Sequence, residues 1–470
     1  MPNHLLLCLS LLPWFPPVDD ALAVFRQWHK SPAPELRIQA LRSLRGTVGR
    51  DSRAALLTLL GDPHVGVRAA ARTEVGQRPS DEGPDLAKEI AALASPRARL
   101  EGLRALLDRK EDPSLFAADR DDEVRARALA SGRVPVPLLR EAWRHRDGRT
   151  RALALEGLGE ADLAAVAVRD GAEEVRIAAA RVTGAAAEVS ALLADRSWRV
   201  RLAAIRAAER IRSPETAPAL IALVAGEPGR VRARAASALE ALTRAPFGED
   251  AAQWRRFWEK RGAGYAFPEA AAAPVAAPPV VGESTSRVTI RFHDIPVVSR
   301  RACFVLDASR SMLDVAPRAK GKTRWDLSCG ELVAVLDRLP EGARFNVVLF
   351  RTEIEAWKPH LERATRGNVS ACRGWIAEAK PAGWTNLFDA LALALADDDV
   401  DAIYLLTDGV PSRGAETARR AILDEIAFLN RYRLVQINCV QAGAEEGLSK
   451  AWKGFLDDLA RDHEGVCVRE

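Results

Sequence analysis

Two hydrophobic rhythms divide this chain. Between residues 24 and 262 apolar positions recur at helical spacing. Val200, Ala204, Ala207, Ala208 and Ile211 fall at i, i+4, i+7, i+8 and i+11, one face of a helix. The alanines on such faces let neighbouring helices approach closely, and turn signals at Asp62-Pro63, Ser213-Pro214 and Glu227-Pro228 separate them. Beyond residue 286 the rhythm changes to short apolar-rich runs at Ala302–Leu306, Phe345–Phe350, Ala402–Leu406 and Leu434–Val440. These alternate with helical stretches at Trp325–Leu339, Leu387–Ala396 and Ala451–Ala460. Short continuous runs mark parallel strands covered on both faces. Val288–Phe292 and Ile295–Val298 read as a hairpin leading into them. The pattern predicts an all-α part followed by an α/β, doubly wound, mostly parallel sheet.

The helical part repeats itself. An apolar residue, an arginine and an Ala-rich stretch recur at Arg37, Arg68, Arg99, Arg125, Arg151, Arg176, Arg201 and Arg232, at spacings of 31, 31, 26, 26, 25, 25 and 31 residues. Self-similarity of this period predicts a solenoid. In four units an aspartate precedes the arginine by six residues: Asp62/Arg68, Asp119/Arg125, Asp170/Arg176 and Asp195/Arg201. The array resembles HEAT repeats, and the resemblance implies that such pairs tie adjacent repeats together, the guanidinium fork meeting a carboxylate. A basic stripe gripping phosphates is the competing reading. Arginines that come with their own aspartates favour the structural one. Phe247-Gly248 and the pair Trp254/Trp258, four apart on one helical face, predict a cap over the last repeat rather than a ligand platform. Pro268–Val281, with four prolines, predicts an extended spacer.

The candidate chemistry lies where the first central strand ends. Asp307-Ala308-Ser309-Arg310-Ser311 follows Ala302–Leu306 directly, and in open α/β sheets ligands bind beyond the carboxyl ends of the strands. One carboxylate and two hydroxyls spaced two apart present hard oxygens, which suit Mg²⁺, Mn²⁺ or Ca²⁺. Thr385 opens the helical run at Leu387, and Asp408-Gly409 ends the run Ala402–Leu406. Together these pieces resemble the metal-ion-dependent adhesion site of von Willebrand factor A (VWA) domains. The resemblance covers roughly residues 286–470, with matches at Asp307, Ser309, Ser311, Thr385 and Asp408. It implies that Ser309, Ser311 and Thr385 bind the ion directly, that Asp307 and Asp408 act mainly through water, and that one position stays open for a partner's carboxylate. Arg310 stands where relatives commonly carry glycine, and Trp384 replaces the glycine usual before the threonine; both are candidate partner contacts. Taken singly, Asp307 and Ser309 would serve as helix caps and Asp408-Gly409 as a turn.

Composition narrows the classes. At 470 residues the chain is too long for one core. Its net charge is +4; residues 286–470 carry 26 basic and 27 acidic side chains, leaving 42 against 37 for the rest. Neither part is basic enough to argue for nucleic acid. The abundance of Arg and Ala suggests a GC-rich, bacterial genome. Leu5–Leu12 is too short to span a bilayer and, with Ala21-Leu22-Ala23 downstream, predicts a signal peptide over residues 1–23, a first amphipathic helix being the alternative. Cys8 lies too near the start to be a lipoprotein cysteine. The other cysteines, Cys303, Cys329, Cys372, Cys439 and Cys467, are odd in number and lack a C-x-x-C arrangement, so no disulfide framework is expected. Gly321-Lys322-Thr323 mimics a P-loop end, but position 316 is alanine and no strand ends there. Neither H-E-x-x-H nor G-x-S-x-G occurs.

The expected layout is a signal peptide to 23, a solenoid over 24–245, a capping helix over 246–262, a linker over 263–285 and a VWA domain over 286–470. The expected function is non-enzymatic: a secreted or envelope-associated (periplasmic) adhesion or scaffold protein that captures a partner's Asp or Glu through Mg²⁺, the solenoid offering a second protein-binding surface. A cytoplasmic adaptor to an ATPase machine and a metal-dependent hydrolase are the alternatives.

Overall fold

The computed structural model describes residues 21–262, 264–269, 290–316, 321–443 and 449–469. The run Leu5–Leu12, Cys8 and most of the expected linker lie outside these residues. Ala21-Leu22-Ala23 form the first turn of a helix, Ala21–Trp28. Compactness divides the chain inside the repeat array, into one unit up to Leu158 and another from Gly159 onward.

In both units helices follow one another in antiparallel layers. In the second, Glu173–Val182, Trp198–Ile211 and Gly229–Thr243 stack as one layer, and Ala186–Leu193, Ala217–Gly226 and Ala251–Arg261 line up behind them. Alanine makes the stacking close: Ala178, Ala179, Ala180, Ala203, Ala204, Ala207, Ala208, Ala235 and Ala238 are all buried. The last helix begins at Asp250, whose carboxylate caps it by accepting from the amides of Ala252 and Gln253. Trp254 is fully buried there, its indole N–H donating to the Gly248 carbonyl at 2.8 Å with Phe247 packed edge-on, while Trp258 is half-buried against Tyr265.

The polar seam exists, but its pairing differs from the expected one. The pairs Asp62/Arg68, Asp119/Arg125, Asp170/Arg176 and Asp195/Arg201 do not meet carboxylate to guanidinium. Each of these arginines donates Nη1 to the backbone carbonyl of its own aspartate, at 2.6–2.9 Å. The carboxylates of Asp62, Asp119 and Asp195 receive the fork of the preceding repeat instead. Arg37 grips Asp62 at 2.8 and 2.9 Å, Arg99 grips Asp119 at 2.8 Å twice, and Arg176 grips Asp195 at 2.7 and 3.1 Å. The reason is local: each aspartate sits in the turn before its helix, where it also accepts the amide two residues on, so its free edge faces back along the stack. Where no aspartate stands six residues ahead of the next arginine, another acceptor replaces it. His145 holds that place before Arg151, and Arg125 donates to Thr150 Oγ1 at 3.0 Å; Arg201 takes Glu227 at 3.0 Å.

Residues from 290 onward build the α/β part. A two-stranded hairpin pairs β1 (Arg291–Phe292) with β2 (Ile295–Pro296). The main sheet holds β3 (Arg301–Asp307), β4 (Arg344–Phe350), β5 (Ile354–Ala356), β6 (Glu362–Arg363), β7 (Ala402–Thr407), β8 (Gln436–Gln441) and β9 (Cys467–Arg469). Its order is β5-β4-β3-β7-β8-β9, with β6 also on β4. The pairs β4–β3, β3–β7, β7–β8 and β8–β9 are parallel, and β5 and β6 are antiparallel. Alternation along the strands feeds two cores. Ala302, Phe304 and Leu306 face Trp325, Leu332 and Ile376, while Cys303 and Val305 face Leu391, Ile426 and Leu459. The five described cysteines are free thiols, and burial pushes Cys329 and Cys372 up to about 12.

Within the second unit the repeats grip the amino ends of these strands. Arg230 is buried; Nη1 donates to the carbonyls of Asp401, just before β7, at 2.8 Å and of Leu434, just before β8. Its Nη2 reaches Glu464, between the helix Phe455–Asp462 and β9, at 3.2 Å, and Arg206 takes the other oxygen of Glu464 at 2.5 Å. Trp198 stacks between the guanidinium groups of Arg199 and Arg301, at 4.7 and 4.4 Å. Burial lowers Arg230 to about 10. Glu464 is held down at about 2 against its burial, by Arg206, Arg234 and Arg230. Gly229 has φ +63°, and a Cβ there would meet the Val298 carbonyl oxygen at 3.2 Å, so glycine is required where helix and loop touch.

A candidate metal centre at the carboxyl ends of the strands

Three chain segments come together at the opposite ends of the strands. β3 delivers Asp307, whose side chain is buried and fully engaged. Its Oδ1 accepts the Ser309 amide at 2.8 Å and its Oδ2 accepts the Thr407 hydroxyl, from the end of β7, at 2.6 Å. Asp307 therefore shapes the loop that follows it. Ser309 is extended (φ −71°, ψ 166°) and Ser311 lies in the 3₁₀ turn that follows, their Oγ atoms 3.1 Å apart. The Ser311 hydroxyl donates to Asp408 Oδ1 at 2.7 Å. Ser309 makes no side-chain capping bond to the 3₁₀ turn Arg310–Leu313.

The third segment is stapled on through backbone. Ala382 N donates to the Ala308 carbonyl at 2.8 Å, and Arg310 N to that of Gly383 at 3.4 Å. Gly383 has φ +70°, which strains any side chain, and a Cβ there would lie 2.3 Å from Thr352 Oγ1, so a larger residue would have to displace that hydroxyl. Thr385 is buried; its amide donates to Ser412 Oγ at 3.0 Å and its carbonyl accepts the Ser412 amide at 2.9 Å. Its hydroxyl lies beside Gly409, 3.6 Å from where a Cβ would stand, next to Asp408. Hydrogen bonds thus link Ser309 to Asp307 and to Ser311, and Ser311 to Asp408, and Thr385 lies beside Gly409. Arg310 is exposed and Trp384 is 57% exposed, with Arg413 over its ring at 5.8 Å; Leu313 and Val315 are further exposed apolar side chains on the loop after Ser311.

Three contributors carried no signal in the sequence: Thr407, Ser412 and Arg324. Arg324 Nη1 donates to Asp408 Oδ2 at 2.6 Å from the first turn of the helix Arg324–Leu336. Thr323, the last residue of the P-loop mimic, caps that helix in a reciprocal box with Asp326.

The donor chemistry fits a hard divalent ion. Among the described residues no group of three or more His, Cys, Asp or Glu is placed to hold a metal, so hydroxyls would supply most of the protein ligands. Burial, with Asp408 close by, raises Asp307 to about 6 against the bonds from Thr407 and Ser309. Added positive charge at the hydroxyls would ease that cost.

Residues 311–455 match the von Willebrand factor type A domain family, and residues 160–240 match HEAT repeats. The chain pairs HEAT repeats with a von Willebrand factor type A domain. VWA domains often bind a divalent metal. Human inter-alpha-trypsin inhibitor heavy chain H4 is 31% identical over 189 residues, 37% of this chain and 18% of that protein. Human von Willebrand factor A domain-containing protein 3B is 31% identical over 157 residues, 33% and 11% respectively. The chain thus spans less than a fifth of the length of these curated relatives. Among solved structures, a von Willebrand factor type A protein from Catenulispora acidiphila is 20% identical with a TM-score of 0.30, covering 37% of this chain and 40% of that one. Both modules are ones that meet other proteins. No helix among the described residues is long and apolar enough to cross a membrane.

Proposed function

We propose that this protein is a non-enzymatic adhesion or scaffold protein whose VWA domain captures a carboxylate on a protein partner through a bound divalent ion, Mg²⁺ in the first instance. The observation carrying this reading is the convergence of Ser309, Ser311, Thr385 and Asp408 beside an exposed rim. Bound there, the ion would supply a Lewis-acidic position open to an Asp or Glu side chain. The protein's own residues do the rest. Asp307 holds the loop, the three hydroxyls present neutral oxygens, and Asp408 contributes charge. A site with few anionic ligands leaves the ion electron-poor, and hence receptive to a carboxylate from outside. Trp384 offers a rigid apolar surface beside that position and Arg310 a positive charge. The solenoid faces remaining free would hold a second partner. A secreted or envelope location is part of this reading.

The test is Mn²⁺ binding by calorimetry, alongside capture from the native organism's envelope extract in Mg²⁺ and in EDTA. Asp408→Ala should weaken Mn²⁺ binding at least about 100-fold, roughly 2.7 kcal/mol, and should abolish the Mg²⁺-dependent part of capture. Capture that is equal in Mg²⁺, in EDTA and with Asp408→Ala would overturn the reading.

A further inference from the structure

The arginines of this protein hold their carboxylates in two ways. In the repeat seam Arg99 places both Nε and Nη2 on Asp119, a two-point grip at 2.8 Å. Arg324 holds Asp408 by Nη1 alone, at 2.6 Å. The same atom lies 3.5 Å from the Ser311 carbonyl and 3.7 Å from Asp314, while Nε is buried without a hydrogen-bond partner among the described residues. A single-point hold lacks the geometric fit that makes the fork strong.

The guanidinium also has somewhere to go. Its carbon lies 3.3 Å from where a Cβ on Gly443 would stand, a tight contact that the glycine relieves. It borders a cavity of about 250 Å³ lined by Ala316, Leu327, Glu331 and Gly443. Asp314 and Glu331, both exposed, offer carboxylates within or beside that space.

Resting on the metal-capture reading above, we infer that Arg324 is a tethered cation competing with the divalent ion for Asp408, and that it swings from Asp408 into the adjoining cavity when the ion binds. The electrostatics give the direction. Asp408 has a fully buried side chain, which is costly to leave without a counter-charge. Arg324 supplies that charge when no ion is present, and so keeps the loops assembled. The same positive charge lies within a few ångströms of the hydroxyls and repels an arriving ion. The pole therefore exchanges one cation for another, and its affinity for the ion is lower than its ligands alone would give.

The experiment uses the full chain with Arg324→Gln and Arg324→Lys, Mn²⁺ as the probe, calorimetric affinity and thermal melts with and without EDTA. Arg324→Gln should bind Mn²⁺ at least about tenfold more tightly, equivalent to about 1.4 kcal/mol. In EDTA it should melt below wild type, and saturating Mn²⁺ should restore it by mass action. Arg324→Lys keeps the charge on a shorter, more hydrated group and should fall between the two. Mn²⁺ binding that is equal or weaker in both variants would overturn the competition while leaving metal capture intact. Absence of Mn²⁺ binding in wild type and both variants would overturn both readings.

Discussion

The two ends of the VWA sheet each receive an arginine, and the contrast between them is instructive. At the amino ends Arg230 is spread over two backbone carbonyls and a carboxylate that Arg206 shares. At the carboxyl ends Arg324 touches Asp408 through one nitrogen, beside a cavity. The first arrangement ties Asp401, Leu434 and Glu464 to one buried guanidinium, so removing it takes a bond from each of the three. The second balances a charge that, on the proposed reading, a bound ion would balance instead. A guanidinium that ties several segments together locks a structure; one that balances a single carboxylate beside a cavity is open to exchange for another cation.

The sharpest way to break this contrast is Arg230→Met. It should destabilise the second unit by about 3–5 kcal/mol, the usual cost of stripping one partner from a buried pair. Chemical unfolding followed by the fluorescence of Trp198, which lies in the same contact, reads it. A loss under about 1 kcal/mol would mean the repeats merely rest on the sheet.

A smaller effect comes from acid. Glu464 is held at about 2, below its ordinary 4.5. A depressed acid contributes stability that is complete above 4.5 and is lost as pH falls from there towards 2. Melting temperatures measured over that window should decline more steeply in wild type than in Glu464→Gln. Parallel profiles would remove Glu464 from the account. The smallest effect on the fold belongs to Trp384→Ala, at the rim. Stability should move by less than about 0.5 kcal/mol, whereas Mg²⁺-dependent capture should weaken by about 1–2 kcal/mol. Unchanged capture would confine partner contact to other rim residues.

Much of this was legible in the residues because the signals were local. Runs such as Ala302–Leu306 and Ala402–Leu406 are apolar because both faces of each strand are covered, and their ends fall within a residue of those observed. Asp307, Ser309 and Ser311 could be found because they directly follow a buried apolar run, although the chain enters a 3₁₀ turn at Arg310 instead of staying extended. What was hidden depends on closure. Thr407 reaches Asp307 only after β3 and β7 pair, and Arg324 reaches Asp408 only after the segment from Asp314 folds back. Neither Arg324 nor Arg230 stands out among so many arginines. The seam shows the same limit in another form. A spacing of six residues correctly marked Asp119 and Arg125 as recurring, yet it could not tell that the carboxylate faces the repeat before it.

β7 is six residues long, lies between two parallel neighbours, and is flanked by held residues at both ends: Asp401 by Arg230, Asp408 by Ser311 and Arg324. If a partner is captured at Asp408, any pull on that partner enters β7 lengthwise and leaves through Arg230 into the repeats. The hydrogen bonds of β7 to β3 and β8 are then strained together in shear rather than opened one after another. In mechanical terms the strand is a tie rod between an anchor and a hook, and the contact at its amino end sets how much tension the hook can bear.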